Sequence, residues 1–195
     1  GEVGDFQRTA RRRDFTCPAP GDTLFDRATA AGVPVVTIGK VDDLFAGRGI
    51  SKAVHTSSDD DVMDALERTL TSTPQGIIMA NLVDFDTVYG HRNDVLGYAA
   101  NLEQFDRRLA SLLPHVQAGD LFIITADHGN DPTTPSTDHS REYVPVLISG
   151  SSVRAGTNVG TRSSFADVGQ TIAEGLGLKP LASGVSFLSE IALEA

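Results

Sequence analysis

The sequence predicts an α/β fold, in which strands and helices alternate along the chain. Short apolar runs bounded by Gly, Pro or Asp recur between longer segments whose apolar residues repeat every three or four positions. Polar motifs containing Asp and His follow two of these apolar runs. This is the expected pattern where the strands of an α/β sheet end at a functional site.

The first α/β unit is predicted between residues 22 and 40. We expect a helix over residues 23–31, with Asp22 as its N-cap and Gly32 at its end. The apolar run at residues 33–38 then predicts a buried strand, which leads to Gly39 and Lys40.

A second unit begins at Ser58, which is followed by three consecutive Asp residues. Acidic side chains favour the positive end of a helix dipole, so we interpret this acidic run as a helix start rather than a metal cluster. Val62 and Leu66 begin the apolar face of that helix. Residues 76–83 predict the next strand, which leads to Asp86.

The longest helix is predicted over residues 93–116. Its core face is expected to contain residues spaced three and four apart, namely Tyr98, Leu102, Phe105, Leu109 and Leu112. Residues 121–125 predict a strand that is buried on both faces and ends near Asp127. A further strand is predicted over residues 144–149 and a last helix over residues 165–176.

The charge balance limits the classes of partner. The 195 residues carry a formal net charge of −10, which disfavours nucleic acids and anionic membranes as partners. One basic cluster could still hold a phosphate ester, and it consists of Arg8, Arg11, Arg12 and Arg13.

The cysteine content and the apolar runs bear on location. Cys17 is the single cysteine, so an intrachain disulfide cannot form. No apolar run approaches the roughly 20 residues that cross a bilayer. We therefore expect a cytoplasmic protein without a membrane partner.

The first residue is Gly1 rather than Met and no secretory segment follows it, which suggests a portion of a longer chain.

Three histidines lie in motifs that predict a metal centre. Asp86 with His91, Asp127 with His128, and His139 offer carboxylate and imidazole ligands. This mixture suits Mn²⁺ or Zn²⁺ better than Ca²⁺ and differs from the thiolate sets of structural zinc sites. A single Asp/His pair is weak support for a metal site, but three such elements together predict a hydrolytic or phosphoryl-transfer centre. The remaining histidines lack this context, and we leave them out of the site: His55 and His115.

The same motifs resemble a known family. Residues 81–92, 125–132, 137–142 and 165–169 together resemble the phosphopentomutases, a bacterial family of the alkaline phosphatase superfamily. The similarity extends over nearly the whole chain, including Arg8 and the Ile-Gly-Lys sequence that ends at Lys40. The Thr-Ala-Asp-His-Gly-Asn segment alone is shared with cofactor-independent phosphoglycerate mutases, whereas the Asp-Phe-Asp and Tyr-Gly-His-Arg spacing points to the phosphopentomutases. The chain has Ser136 where the family usually has Gly and Ser140 where it usually has Thr, and neither change removes a ligand.

The resemblance implies a fold and a domain division. The fold would be a three-layer α/β/α sandwich core of the alkaline phosphatase type, incomplete here, with a remnant of an inserted cap domain at the N-terminus. Residues 1–18 would be the end of that cap domain. Residues 19–195 would be the C-terminal part of the metal-binding core.

The resemblance also implies the roles of particular residues. Asp86, His91 and His139 would hold one manganese ion, whereas Asp127 and His128 would share a second with an Asp and a nucleophilic Thr from the N-terminal part of the family's chain. That part is absent here, so this chain would contain no catalytic nucleophile. Two basic residues match positions that in the family face the substrate phosphate, and these are Lys40 and Arg8.

The implied activity is the interconversion of ribose 1-phosphate and ribose 5-phosphate, and of the 2-deoxy pair, through a phosphothreonine. The cofactors would be two Mn²⁺ ions and a sugar bisphosphate activator. The partners would be a pentose phosphate and the N-terminal half of the same enzyme. Two alternatives remain open: a related metal-dependent phosphatase or cofactor-independent phosphoglycerate mutase, with Ser as the nucleophile, or a catalytically inert metal-binding fragment.

Overall fold

The computed structural model describes Val3 and residues 16–193. Arg8, the other arginines of the basic cluster and most of the expected cap remnant lie outside the described residues. The helices and strands are, in chain order, α1 Leu24–Ala30, β1 Val35–Ile38, α2 Val41–Leu44, β2 Lys52–Val54, α3 Asp59–Ser72, β3 Ile77–Ala80, α4 Val95–Leu112, β4 Phe122–Ile124, β5 Leu147–Ser149, α5 Ala166–Gly175 and α6 Leu188–Ile191. A π-helical turn spans Phe85–Tyr89, and 3₁₀ turns span Gly90–Arg92 and Leu113–His115.

Strand β1 lies at the centre of a three-stranded parallel sheet of order β2-β1-β3. Its last residue, Ile38, is paired with Val54 of β2 and with Ala80 of β3. Because the three strands are parallel, their carboxyl ends lie at one edge of the sheet. The segments that begin with Gly39 and Asn81 therefore leave the sheet at the same edge.

Helices cover both faces of this sheet. On one face, Val35 and Ile77 pack with Phe25 of α1, and Ile172 of α5 packs against the same cluster. On the other face, Ile38 packs with Val62 and other residues of α3. Successive side chains of a strand point to opposite faces of the sheet. The apolar strands therefore contribute to one apolar layer on each face. The expected α/β fold with a parallel sheet between helices is thereby confirmed.

Helix α1 begins one residue later than the sequence predicted. The expected N-cap, Asp22, is wrong, because Thr23 fills that position. The Thr23 hydroxyl accepts a hydrogen bond from the backbone N–H of Asp26, and the Asp26 carboxylate accepts one from the backbone N–H of Thr23. This reciprocal capping box satisfies two backbone donors, which a cap at Asp22 would leave unpaired.

Helix α4 differs at one position from the core face that its apolar pattern predicted. Leu102 was expected in the core but is 53% exposed, whereas its neighbour Asn101 is only 8% exposed. Leu112 is buried as expected. The amide of Asn101 has a buried hydrogen-bond partner on α3, and this polar contact decides which residue of the pair points inward.

Strand β4 is less buried than predicted. Phe122, Ile123 and Ile124 are half-buried, and Thr125 is exposed, so the expectation of burial on both faces is wrong. Within residues 16–193, β4 has one paired strand, the antiparallel β5, with Ile123 opposite Ile148. The other edge of β4 has no paired strand among the described residues.

The C-terminal part is tied together by a buried ion pair. Arg162 Nε donates to Oδ2 of Asp167 at 3.0 Å, and the Asp167 side chain is 2% exposed. The backbone N–H of Val185 donates to the other oxygen of Asp167 at 2.9 Å. The Arg162 guanidinium also lies 5.3 Å from the ring centroid of Phe187.

In the part of the chain that the structure describes, no helix combines the length and the apolarity that a bilayer-spanning helix requires.

Candidate metal centre

Asp86 lies in the π-helical turn that follows β3. The backbone N–H groups of Asp86 and Thr87 both donate to the carbonyl of Val83, at 3.2 and 2.9 Å. π-helical turns are rare in proteins as a whole, but those that occur often lie at functional sites. The next turn carries His91, whose Nε2 lies 3.4 Å from Oδ2 of Asp86. These two predicted ligands therefore lie side by side on consecutive turns.

The second ligand segment begins after β4 and folds back on itself. The backbone N–H of Ser140 donates to the carbonyl of Gly129 at 3.1 Å, which forms an isolated antiparallel bridge. This bridge places His139 beside His128, with ring centroids 3.7 Å apart and ring planes inclined by 18°. The two imidazoles are stacked although they are not neighbours in sequence.

The two segments meet at one cluster. Ligand atoms of Asp86, His128 and His139 all lie within 4.8 Å of one another, and Nε2 of His139 is 3.2 Å from Oδ1 of Asp86. Among the described residues this is the one group of at least three ligand-type side chains with such a spacing. The ring of His91 is stacked 5.0 Å from that of His139, at the margin of the cluster.

Two backbone carbonyls orient the histidine rings. Nδ1 of His91 lies 2.5 Å from the carbonyl oxygen of Thr137, and Nδ1 of His128 lies 3.2 Å from that of Gly129. A carbonyl oxygen can only accept, so the proton of each neutral ring belongs on Nδ1. Each Nε2 then keeps a free lone pair, which is the arrangement found in metal-binding histidines.

Asp127 lies at the edge of the cluster. Its side chain is 61% exposed, and its Oδ1 is 3.6 Å from Nε2 of His128. It does not belong to the group of side chains within 4.8 Å. The structure therefore brings Asp127 next to His128 but leaves it open to solvent on its other side.

Asn130 was not predicted as a site residue, although it lies in the motif that contains His128. Asn130 donates from Nδ2 to Oδ1 of Asp86 at 2.9 Å, and so it links the two ligand segments. Gly90 leaves the space for this amide, because a Cβ at Gly90 would lie 2.1 Å from Nδ2 of Asn130. The only signal in the sequence was the position of Asn130 two residues after His128.

Further contacts hold the loop between residues 131 and 140. Asn93 has a left-handed backbone, with φ 52°, and its Nδ2 donates to the carbonyl of Thr134 at 2.5 Å. The hydroxyl of Ser140 accepts from the backbone N–H of Asp131 at 2.8 Å. Serine keeps the hydroxyl that the threonine expected from the family would supply.

Negative charge surrounds the cluster. Burial raises the pKa of Tyr98, and the nearby carboxylates of Asp86 and Asp131 raise this pKa further. The ring of Tyr98 packs edge-on against Phe85, with centroids 5.3 Å apart, next to Asp86 in sequence. A site that disfavours another negative charge in this way favours a bound cation.

Lys40 leaves the sheet at the edge where the Asp86 segment begins. Gly39, with φ +90°, precedes it, and a Cβ there would lie 2.7 Å from the carbonyl oxygen of Asn81. The chain after β1 thus passes directly against the chain after β3. Lys40 is half-buried, and its contact with a substrate stays a prediction. Arg8 lies outside the described residues.

The two histidines that we left out of the site each pair with one carboxylate. Nε2 of His55 is 3.5 Å from Oδ2 of Asp42, and Nε2 of His115 is 3.2 Å from Oε1 of Glu67. His115 ends the 3₁₀ turn that follows α4. Neither histidine belongs to the three-residue group around Asp86.

The chain is similar to known metalloenzymes over most of its length. The profile of the metalloenzyme superfamily matches residues 27–180. A phosphopentomutase of Caldanaerobacter subterraneus subsp. tengcongensis is 50% identical over 194 residues, which cover 100% of this chain and 49% of the relative. A phosphopentomutase of Acetivibrio thermocellus is also 50% identical, over 98% of this chain and 49% of the relative. The chain thus spans about half the length of the curated relatives it matches.

Two solved structures share the fold. A phosphoglycerate mutase of Leishmania mexicana, crystallised at low cobalt concentration, has a TM-score of 0.63 and 21% identity, and the match covers 88% of this chain and 39% of that chain. A protein of Pyrococcus horikoshii has a TM-score of 0.53 and 22% identity, with coverage of 65% and 35%. At these identities the likeness concerns the fold alone.

Proposed function

Because this chain belongs to the metalloenzyme superfamily, we propose that it is the metal-binding part of a phosphopentomutase. Such an enzyme interconverts ribose 1-phosphate and ribose 5-phosphate, and the corresponding 2-deoxyribose esters. The observation that carries the proposal is the convergence of Asp86, His128 and His139, whose ligand atoms lie within 4.8 Å of one another. The 50% identity to phosphopentomutases supports the choice of substrate class.

The donor set fits divalent manganese. Imidazole nitrogens and carboxylate oxygens, without a thiolate, suit ions of this type. Asp86, His91 and His139 would hold one ion, while Asp127 and His128 would contribute to a second. Paired ions would supply positive charge that stabilises a phosphoryl group during transfer. The stacking of His128 on His139, at 3.7 Å between centroids, is consistent with two ion positions that are immediate neighbours.

The position of Lys40 suits a role in substrate binding. An ammonium group near the sheet edge that carries Asp86 would pair with the phosphate of a pentose phosphate through a charge-assisted hydrogen bond. Arg8 would provide a second such contact. The carboxylates of the cluster give a reason for these cations, since they would otherwise repel a dianionic ester.

The nucleophile of the proposed reaction, a threonine that carries the phosphoryl group, would come from sequence outside this chain. Two observations support this division. The relatives are about twice as long as the chain, and Asp127 is 61% exposed beside His128, where further ligands could bind the same ion. The sugar bisphosphate activator belongs to the same proposal, and the cytoplasmic location stays a prediction.

The test uses the protein at the length of its relatives. With Mn²⁺ and a sugar bisphosphate, we expect conversion of ribose 1-phosphate to ribose 5-phosphate, and we expect His139→Ala to lower both turnover and bound manganese. His55→Ala is the matched control, because His55 also faces a carboxylate but lies outside the cluster. Turnover of phosphoglycerate without turnover of pentose phosphate would favour the mutase alternative. Full activity of His139→Ala would contradict the proposed centre.

A second experiment addresses the division of the active site. The chain of residues 1–195, purified alone, is expected to give no turnover of pentose phosphate, because the proposed nucleophile is not part of it. Addition of the remaining part of the protein should restore turnover if the two parts associate. Turnover by the isolated chain would contradict the assignment of the nucleophile.

A further inference from the structure

Asp59 and Asp84 hold each other through backbone and side chain at once. The backbone N–H of Asp59 donates to Oδ2 of Asp84 at 2.9 Å, and the backbone N–H of Asp84 donates to Oδ1 of Asp59 at 3.0 Å. Asp59 is the first residue of α3, and Asp84 immediately precedes the π-helical turn. This reciprocal contact, which we call the Asp59–Asp84 clasp, joins two segments that are 25 residues apart.

Asn101 of α4 completes the clasp. Its Nδ2 donates to Oδ2 of Asp59 at 2.9 Å, and both side chains belong to residues that are only 8% exposed. Burial raises the pKa of Asp59, although the hydrogen bond from Asn101 and the backbone hydrogen bond from Asp84 oppose this change. A buried carboxylate is costly unless it is hydrogen-bonded. An acidic residue that only served the dipole of α3 could remain in solvent, as Asp60 does.

The position of the clasp suggests what it contributes. Asp84 is two residues before Asp86, the carboxylate at the centre of the proposed metal site. A π-helical turn is uncommon and depends on its surroundings, so its ends must be held for its side chains to have fixed directions. At the far end, the backbone N–H of Asp94 donates to the carbonyl of Tyr89 at 3.1 Å. At the near end, the Asp59–Asp84 clasp ties the residue before the turn to α3, while the ring of Phe85 packs against Tyr98 and Phe105 of α4.

We propose that Asp59 and Asn101 are positioning residues of the metal centre, which orient Asp86 by fixing Asp84 and thereby set the affinity for the divalent ion. The inference rests on the proposed function, because it presumes that Asp86 binds an ion. It assigns a role to residues on α3 and α4 that lie outside the ligand cluster.

A purely structural role for this network is the competing explanation, and the chain offers a matched control for it. Arg108 of α4 pairs with Asp60 at 3.3 Å and also with Asp64, so it joins the same two helices. Its partners are Asp60 and Asp64, whereas the residue of α3 that exchanges hydrogen bonds with Asp84 is Asp59, the partner of Asn101. Arg108→Ala should therefore weaken the contact between α3 and α4 without changing the direction of Asp86.

The first measurement is calorimetric titration of Mn²⁺ into the full-length protein, with the midpoint of thermal unfolding measured on the metal-free samples. We expect Asn101→Ala to weaken Mn²⁺ binding about tenfold, at the lower end of the effects found for residues that orient metal ligands. Arg108→Ala should keep the wild-type affinity even where it lowers the unfolding midpoint. Equal loss of affinity in both variants, or unchanged affinity in Asn101→Ala, would overturn the proposal.

An exchange of the two polar groups separates positioning from packing. In Asn101→Asp two carboxylates would meet, so this single variant should bind Mn²⁺ more weakly. The double variant Asp59→Asn/Asn101→Asp keeps the net charge, and it allows a donor–acceptor pair at both contacts. We expect it to recover the wild-type affinity to within about twofold.

The double variant can also test the proposal if Asn101→Ala does not fold, because the double variant forms a new hydrogen bond in place of each one that is lost. A folded double variant whose affinity is as low as that of Asn101→Asp would overturn the proposal. A wild-type protein that bound no Mn²⁺ would instead contradict the proposed function, so the two failures are distinguishable.

Discussion

Asn130 donates a hydrogen bond to Asp86 across 44 residues of sequence, with 2.9 Å between Nδ2 and Oδ1. The same carboxylate oxygen faces Nε2 of His139 at 3.2 Å. The direction of Asp86 is thus set partly by the segment that also carries His128 and His139. Loss of a group of this kind, which holds a ligand without binding the ion, typically lowers metal affinity about tenfold to a hundredfold.

The first prediction concerns Asn130 itself. Asn130→Ala should weaken Mn²⁺ binding by about tenfold to a hundredfold, because the carboxylate of Asp86 loses the donor that orients it. Calorimetric titration measures this change. Asn158→Ala is a suitable control, since the side chain of Asn158 accepts a hydrogen bond from Gly160 in a different loop. An affinity in Asn130→Ala equal to that of the control would contradict the prediction.

The second prediction concerns Gly90. Gly90→Ala would place a methyl group 2.1 Å from the amide of Asn130, so either the amide or the turn must move. We expect a loss of Mn²⁺ affinity similar to that of Asn130→Ala. Gly21→Ala is the control, because nothing lies within 4 Å of a Cβ at that position.

A double-variant cycle makes this prediction sharper. If Gly90→Ala acts through the Asn130 amide, the substitution should cost much less affinity in a protein that already carries Asn130→Ala. Strictly additive effects would indicate that Gly90 matters for another reason, such as the backbone of the 3₁₀ turn.

The sequence predicted those helices and strands that a short stretch of residues is enough to identify. The periodicity of α3 and the apolar runs of β1 and β3 were sufficient to place these elements, and their positions are confirmed to within a few residues. The motifs around Asp86 and His128 also contain three predicted side chains that converge, Asp86, His128 and His139, whereas the predicted ligand Asp127 lies at the edge of the cluster. In each case the information lies within one short segment.

The features that the sequence did not predict depend on contacts between distant segments. The burial of Asn101 instead of Leu102 follows from the partner on α3, which the apolar pattern of α4 does not reveal. The link from Asn130 to Asp86 likewise needs the folded arrangement of both motifs. The short helix α2 and strand β2 were also missed, because neither is long enough to display a period.

The third prediction concerns Lys40. If Lys40 binds the phosphate of the substrate, Lys40→Ala should lose about 1.5 to 3 kcal/mol of charge-assisted binding in the full-length enzyme. This loss should raise the KM for ribose 5-phosphate while the manganese content stays constant. Lys52→Ala, at an exposed position of β2, is the control. An unchanged KM would show that Lys40 does not contact the substrate.

The last prediction concerns the buried ion pair of Asp167 and Arg162. The carboxylate accepts hydrogen bonds from Val185 and Arg162, and the Asp167 side chain is 2% exposed. Asp167→Ala should lower the free energy of unfolding at neutral pH by about 3 kcal/mol, because Arg162 loses the buried one of its two carboxylate partners and the backbone N–H of Val185 loses its acceptor. Glu190→Ala removes the other carboxylate near Arg162, whose side chain is 45% exposed, and should cost no more than about 1 kcal/mol.

The pH dependence of this pair provides an independent check. The hydrogen bond from Val185, together with Arg162, lowers the pKa of Asp167 in the folded protein. A carboxyl group whose pKa is lower when folded stabilises the protein above its unfolded pKa, which is about 3.9 for Asp. This contribution is lost as the pH falls from about 4 toward the folded pKa. The difference in unfolding midpoint between wild type and Asp167→Ala should therefore be constant from pH 7 to 5 and shrink below pH 4, whereas an undiminished difference at pH 3 would contradict the lowered pKa.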